Sequence, residues 1–423
     1  MKKVLCLLVI LTLTMTMLLV SCNQLEQQGG ERGSEHGSEQ ASEQVTIPTE
    51  PSEGLEFRSS GDGTCALIGI GTCTDTYIVI PDTSPDGERV TFIEYGALSD
   101  CDHLVGIKIP VSMEDIGGSF IHGCSNLVSI TVEKGNTKYY SKNNCLIGID
   151  NNYFSSSRGD YEIVAGCKTS KIPNEIASIG DSAFSGCTGL TSVIIPDSVT
   201  NIGDAAFSGC TGLTSVIIQD SVTNIGAYAF SGCTGLTEID IPDSVISIGD
   251  RAFAECSALT EIVIPEGVET IGYGLIDGCD NLRSISFPST LMNIGSEYTV
   301  SFLCSGPALT NILVASDNPV YHSVDNCMIK TKTGTLIAGC NASVIPNSVI
   351  TIGDFAFSGC TSLKEITIPE SVTDIGLGAF VGCTALTDIY YIGTEQDWLA
   401  ISIDSENDPL LNATIHYNYV PEE

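Results

Sequence analysis

The sequence predicts a mainly β solenoid with short helical turns, and three observations carry that prediction. A 23-residue unit is written five times in succession between Asp181 and Gly295. Each copy holds a short β-branched run in which alternate residues are apolar, stopped by proline in most copies. A cysteine and a leucine return at one phase, at Cys187, Cys210, Cys233, Cys256 and Cys279 and at Leu190, Leu213, Leu236, Leu259 and Leu282. A fixed period of this length marks coils that stack on one another.

Within one unit, Leu190 to Ile195 reads as a strand that turns Val193 and Ile195 inward and Ser192 and Ile194 outward. Pro196 ends it. Val199 and Ile202 form a second inward pair on extended chain, and Gly203 permits a corner. Ala206, Phe207 and Cys210 of the next copy then close the coil through a short helical turn. A single coil buries too little apolar surface to offset the entropy of ordering it, so stability must come from its neighbours.

Before the repeats stand two segments of different character. Lys2 and Lys3 precede an apolar stretch from Val4 to Val20, which Ser21 and Cys22 end. Residues 1–21 resemble a bacterial lipoprotein signal peptide, a resemblance that implies lipidation of Cys22. A plain signal peptide or membrane anchor with an incidental cysteine is the other reading. Past Val20 no stretch of 18 apolar residues follows, so the expected attachment to a membrane is through the lipid alone. Residues 22–54, rich in Glu, Gln, Ser and Gly, read as a flexible acidic tether.

Residues 55–94, with the strand signal Tyr77-Ile78-Val79-Ile80-Pro81, are expected to cap the first coil. The solenoid proper runs over 95–386 in about a dozen coils. Its rhythm breaks for 63 residues after Leu127 and for 54 after Leu309. The two breaks share Asn-Cys followed by Ala-Gly-Cys, at Cys145 and Cys167 and again at Cys327 and Cys340. Each reads as a β-hairpin. If Lys332 pairs with Thr335, Cys327 falls opposite Cys340, and the same reckoning sets Cys145 opposite Cys167. Two cross-strand disulfides are therefore expected in an exported protein, the alternative being four buried thiols. Residues 387–423 form the closing cap, with Thr394 and Asp397 capping a short helix whose Trp398 and Ile401 cover the last core. Trp398 as a ligand-stacking residue is the other reading.

The chain carries 52 acidic against 17 basic residues, a net charge of -35. That balance argues against nucleic acid, which needs basic patches. It suits either solubility or attraction to a basic partner. Of the 18 cysteines, Cys101, Cys124, Cys360 and Cys383 share the repeat phase, with Cys304 a tenth. Such a column reads as small buried hydrophobes. No Cys-x-x-Cys follows Cys22 and histidines are few, so no metal site is expected.

The motif Ala183-Phe184-Ser185-Gly186-Cys187-Thr188-Gly189-Leu190, continuing to Ile195-Pro196-Asp197-Ser198-Val199, resembles the BspA-like leucine-rich repeat over roughly residues 65–417. The resemblance implies a curved solenoid with a strand ladder on one side. It also implies a cell-surface role, since members of that family include adhesins and antigens that bind host matrix or other cells.

Chemistry sought independently is sparse. His36, His103, His122, His322 and His416 lie at unrelated phases, and the recurring serine of Phe-Ser-Gly-Cys marks a corner rather than a nucleophile. Gly69-Ile70-Gly71 precedes no helical pattern, which leaves a phosphate loop unsupported. Asp197, Asp220 and Asp243 read as Asx turns in water or as a stack relieved by calcium. No enzyme and no cofactor is expected.

A binding surface is the better expectation. The outward strand positions are Ser192 and Ile194, Ser215 and Ile217, Glu238 and Asp240, Glu261 and Val263, and Ser284 and Ser286. At about 4.8 Å per coil they span a face on the order of 60 Å, wide enough for a protein or polymer. The partner expected is a host or neighbouring-cell macromolecule, most simply a protein. Ile194 and Ile217 also fit plain strand-to-strand pairing, and an envelope spacer without a ligand is the alternative function. Carbohydrate binding ranks third, since exposed aromatics on the ladder are few before Tyr390.

Overall fold

The structure is a computed structural model that describes residues 47–149, 161–295 and 306–421. The chain divides into Met1–Val45 and Thr46–Glu423, and every described residue belongs to the second unit. The apolar leader, Cys22 and Cys304 lie outside the described residues.

The chain winds as a β-solenoid of about 14 turns, slightly more than the dozen expected. Each regular coil contributes a strand of up to four residues to one face and a two-residue strand to the other. On the first face Ser192–Ile195 pairs in parallel with Ser215–Ile218, residue for residue at the repeat distance. Burial alternates along both strands, with Val193, Ile195, Val216 and Ile218 inside. On the second face Asn201–Ile202, Asn224–Ile225, Ser247–Ile248, Thr270–Ile271 and Asn293–Ile294 continue a nine-stranded sheet.

Between the two faces runs a file of stacked rings. Phe184, Phe207, Phe230 and Phe253 lie nearly parallel, with centroids 5.0, 5.3 and 5.7 Å apart. Phe357 and Phe380 repeat the arrangement at 5.1 Å. The phase-locked cysteines lie beside them, buried as expected, and they also donate. Cys210 Sγ–H points at Phe184 O (3.1 Å), Cys233 at Phe207 O (3.3 Å) and Cys256 at Phe230 O (3.2 Å). Burial pushes the thiols of Cys233, Cys279 and Cys383 up to about 12, which keeps them neutral donors.

The corner expected to be a helical turn is not helical. Alternate amides there leave the coil altogether: those of Ala205, Phe207 and Gly209 donate to Ala227, Ala229 and Ser231 of the next coil at 2.7 to 2.8 Å. The intervening amides close single four-residue turns, as from Ser208 to Ala205. This pattern puts the second residue of each copy in left-handed backbone, at Ser182, Ala205, Tyr228 and Arg251. Asp181, Asp204, Asp250 and Asp354 tie the same corner, each accepting the backbone N–H of the residue 23 positions on.

Each break contains a three-stranded meander where a hairpin was expected. Tyr139–Lys142, Cys145–Gly148 and Tyr161–Ala165 are antiparallel in order, as are Tyr321–Val324, Cys327–Lys330 and Thr335–Ala338. The first turn of each uses left-handed pairs, Asn143 with Asn144 and Asp325 with Asn326, a two-residue hairpin signal. An asparagine staples each meander to the preceding coil. Asn136 Nδ2 donates to the carbonyls of Pro110 and Met113 while its Oδ1 accepts from Lys138 and Tyr139 N–H. Asn318 repeats this with Pro288, Leu291, Val320 and Tyr321.

The expected cysteine register is corrected by this pairing. Thr335 pairs with Lys330, not Lys332, and a bulge follows before Met328 meets Ala338. Glu162 likewise pairs with Gly148, with a bulge before Ala165 meets Leu146. By that register Cys145 falls level with Gly166 and Cys327 with Gly339. A glycine is needed there because a Cβ on Gly166 would lie 1.9 Å from the Phe184 ring, and one on Gly339 2.1 Å from Phe357. Cys145, Cys167, Cys327 and Cys340 are free buried thiols. The middle strand has core on both sides: Cys145 and Ile147 join the central hydrophobic cluster, whereas Leu146 and Cys167 join the N-terminal one. Met328 and Cys340 face the central cluster while Cys327 and Ile329 face the C-terminal one. The meanders thus divide the core into three compartments.

At the N-terminal end, the folded body takes in residues before 55. Ser52 N–H donates to Val79 O (2.9 Å) and its hydroxyl accepts from Val79 N–H (3.1 Å), so this part of the expected tether is seated on the body. At the other end Thr394 and Asp397 form the expected capping box on Glu395–Trp398. Trp398 is buried edge-on against Tyr391 at 5.2 Å, with Ile401 packed beside that cluster. Trp398 therefore serves the lid rather than a ligand.

Candidate binding face

The first face is not one uninterrupted ladder. Its strands fall into four groups, separated at each break and once more at Glu238 to Ile241, where pairing shrinks to a single bridge between Ile217 and Asp240. The outward side chains of Glu238 and Asp240 lie next to Glu261 along the ladder, and stacked like charges disfavour close strand pairing.

The sequence-expected positions do face outward. Ser192, Ile194, Ser215 and Ile217 share one paired ladder, with Ile194 59% and Ile217 49% exposed. Glu238 and Asp240 are exposed on the weakly paired coil, and Glu261 and Val263 on the next strand are exposed too. Ser284 and Ser286 are half-buried, in register with Glu261 and Val263. The four breakpoint cysteines lie inside rather than on this face.

Two clefts, unforeseen from sequence, open on this face beside the breaks. In each, a segment that occupies the strand phase fails to pair with the next strand. Residues 168–172 are drawn backward instead: Thr169 Oγ1 donates to Val128 O (2.6 Å) and Lys171 N–H to Asn143 O (3.1 Å). Ser170, buried, locks the segment by accepting Cys167 N–H (2.9 Å) and donating to Asn144 O (2.6 Å). A cleft of about 640 Å³ results between Lys168, Thr169 and Lys171 on one wall and Ser192, Ile194 and Pro196 on the other. Neither lysine meets a carboxylate among the described residues; Lys168 Nζ rests 3.4 Å from Asn126 Oδ1. A sequence signal existed, since six of the 17 basic residues lie between Lys134 and Lys171.

The second cleft, about 420 Å³, lies between Asn341 to Val344 and the strand Glu365–Ile368. Ser343 repeats the lock on Cys340 N–H and Asn326 O. Tyr390 and Tyr419 complete this cleft, with ring centroids 4.6 Å apart, and His416 stacks on Tyr390 at 4.9 Å while bonding Asp388.

His122 bonds Ser185 Oγ and His322 bonds Thr331 Oγ1. Among the described residues no three metal-ligating side chains converge, and no helix is long and apolar enough to cross a membrane. Asp197, Asp220 and Asp243 are exposed, while Glu266 at the same phase accepts from Ser289 N–H and Oγ–H of the next coil, and the corner aspartates bridge coils as well.

Comparison with known proteins places the repeat. The profile of the BspA type Leucine rich repeat region matches residues 73–159, 177–305 and 338–397, in six copies. Among solved structures, a leucine rich cell surface protein from Faecalibacterium prausnitzii is 26% identical, over 86% of this chain and 100% of its own, with a TM-score of 0.45. A leucine-rich repeat protein from Bacteroides ovatus is 23% identical over 86% and 98%, at 0.40. The curated proteins contain no match. With the repeat matched over more than half its length, the chain belongs to the BspA-type leucine-rich repeat family.

Proposed function

We propose that this chain is a cell-surface protein, anchored by a lipid on Cys22, whose repeat face binds macromolecules of a host matrix or of neighbouring cells. The observation that carries the reading is the first face. The inward residues there stay apolar from coil to coil, while the outward residues change from Ser192 and Ile194 to Glu238 and Asp240 and on to Ser284 and Ser286. A fixed frame with changing outward chemistry suits recognition rather than catalysis. The exact register of Ile194 on Ile217 favours the alternative of a structural spacer, because β-branched pairing alone explains that pair.

Immobilised full-length protein, exposed to solubilised host matrix, should retain a short set of partners. The triple variant Glu238→Lys, Asp240→Lys and Glu261→Lys should lose those that are basic. An identical partner list from both proteins would sink the face, and an empty list from both would favour the spacer. Labelled palmitate that still enters a Cys22→Ala variant would remove the anchor.

A further inference from the structure

We infer that the cleft between residues 168–172 and the strand Ser192–Ile195 is a docking groove for an extended acidic peptide segment of a partner protein, which joins the strand's free edge. The inference deepens the binding reading above by naming a site and a partner class.

The edge is free for a definable reason. Elsewhere on this face the last strand position donates forward: Ile264 N–H to Ser286 O (2.9 Å) and Ile80 N–H to Lys108 O (3.1 Å). Ser286 shares its phase with Ile194 through Val263, Asp240 and Ile217. In a parallel ladder the N–H and C=O of one residue point to the same neighbour. The N–H and C=O of Ile194, and by alternation those of Ser192, therefore point back toward residues 168–172. No hydrogen bond joins that segment to the strand among the described residues. Unpaired strand edges are templates for an added strand.

The opposite wall is built rather than loose, since Ser170, Thr169 and Lys171 are bonded away from the cleft. Charge then selects the occupant. Lys168 and Lys171 stand without carboxylate partners among the described residues, in a chain that carries 52 acidic residues, so they favour an acidic segment. The exposed side chain of Ile194 offers an apolar contact to alternate residues of such a segment. The second cleft has the same lock at Ser343, yet Asn341 and Val344 stand where the lysines do, and Glu365 and two tyrosines line it as well. It is the internal contrast, and an acidic peptide should pass it by.

The test uses the full chain and a fluorescent peptide, acetyl-Glu-Val-Asp-Val-Glu-Val-Asp-amide, read by anisotropy. Micromolar binding is expected, with at least a tenfold loss in the double variant Lys168→Glu and Lys171→Glu. Peptides N-methylated at every second residue, in both phases, test the edge without altering the protein. One phase should lose tenfold or more, because its donors to the strand are gone. Ile194→Pro should match that loss, since its N–H faces the cleft and not the ladder to Ser215–Ile218. Equal binding of both methylated probes, or no binding at millimolar peptide, would overturn the inference. So would dextran sulfate displacing all probes alike, which would mark an anionic-polymer site. The variant at Glu238, Asp240 and Glu261 should bind the peptide unchanged. Loss of matrix partners with the peptide still bound would fell only the broader reading, and the converse only this one.

Discussion

Replacing Phe230 by alanine should open the central compartment and leave the other two closed. The ring is fully buried and stacks between Phe207 at 5.3 Å and Phe253 at 5.7 Å. Emptying such a site costs about 3–5 kcal/mol, and each of the two ring stackings it removes adds about 0.5–1.5 kcal/mol. The local opening free energy should therefore fall by about 4–8 kcal/mol, or about a thousandfold or more in exchange rate at 1.4 kcal/mol per decade. Hydrogen exchange followed by mass spectrometry reads this peptide by peptide. Protection should collapse in peptides from the strands at 192–287 and persist at 106–132 and 365–391, because the meanders separate the three clusters. A loss spread evenly along the array would refute the compartments. A loss below tenfold would refute the weight given to the ring file.

Further outcomes follow from individual side chains. Asn318→Asp should destabilise about as much as Asn318→Ala, by about 3 kcal/mol or more, because both lose the two donors that satisfy Pro288 O and Leu291 O; a thermal melt in which the aspartate is tolerated would contradict this. Buried thiols raised from 9.0 to about 12 are neutral in both states below pH 9, so their contribution is whole there. Above it the unfolded thiols ionise first, and melting temperature should fall steeply up to about pH 12. Cys233→Ala, less stable at pH 7, should fall less steeply, and parallel slopes would argue against the thiols. Ala205→Gly should stabilise, or at worst be neutral, since alanine there holds a left-handed φ of 52° that costs about 1–2 kcal/mol without a glycine. Clear destabilisation would mean the methyl packs usefully.

What the sequence made legible was whatever the period repeats. The in-and-out alternation of Ser192–Ile195, the buried cysteine column and the Thr394 cap all follow from local residue pattern. Features set by bonding between coils were hidden. A helical turn at Ala206 and Phe207 is a fair reading of one copy, but the amides of Ala205, Phe207 and Gly209 are claimed by the next coil. Hairpin register in the breaks depends on where a bulge falls. The polar run at Lys332 to Thr335 suggested a tight turn, whereas Thr331 to Gly334 form a four-residue loop, with Gly334 left-handed. Asn143-Asn144 and Asp325-Asn326 did announce the missed first turns. The clefts came from strands that fail to pair, and no residue pattern states a missing bond.

The left-handed corner carries a consequence for how such a protein can change. Its backbone is held by bonds from one coil to the next, and the side chain at its second position takes no part in them. Serine, alanine, tyrosine and arginine occupy that place in four successive coils, at Ser182, Ala205, Tyr228 and Arg251, with φ between 52° and 57°. Arg251 lies over the Tyr273 ring of the following coil at 5.8 Å, so neighbouring corners already speak to each other chemically. The molecule thus keeps a row of sites where letters can be rewritten without touching the grammar, along an edge distinct from the strand face.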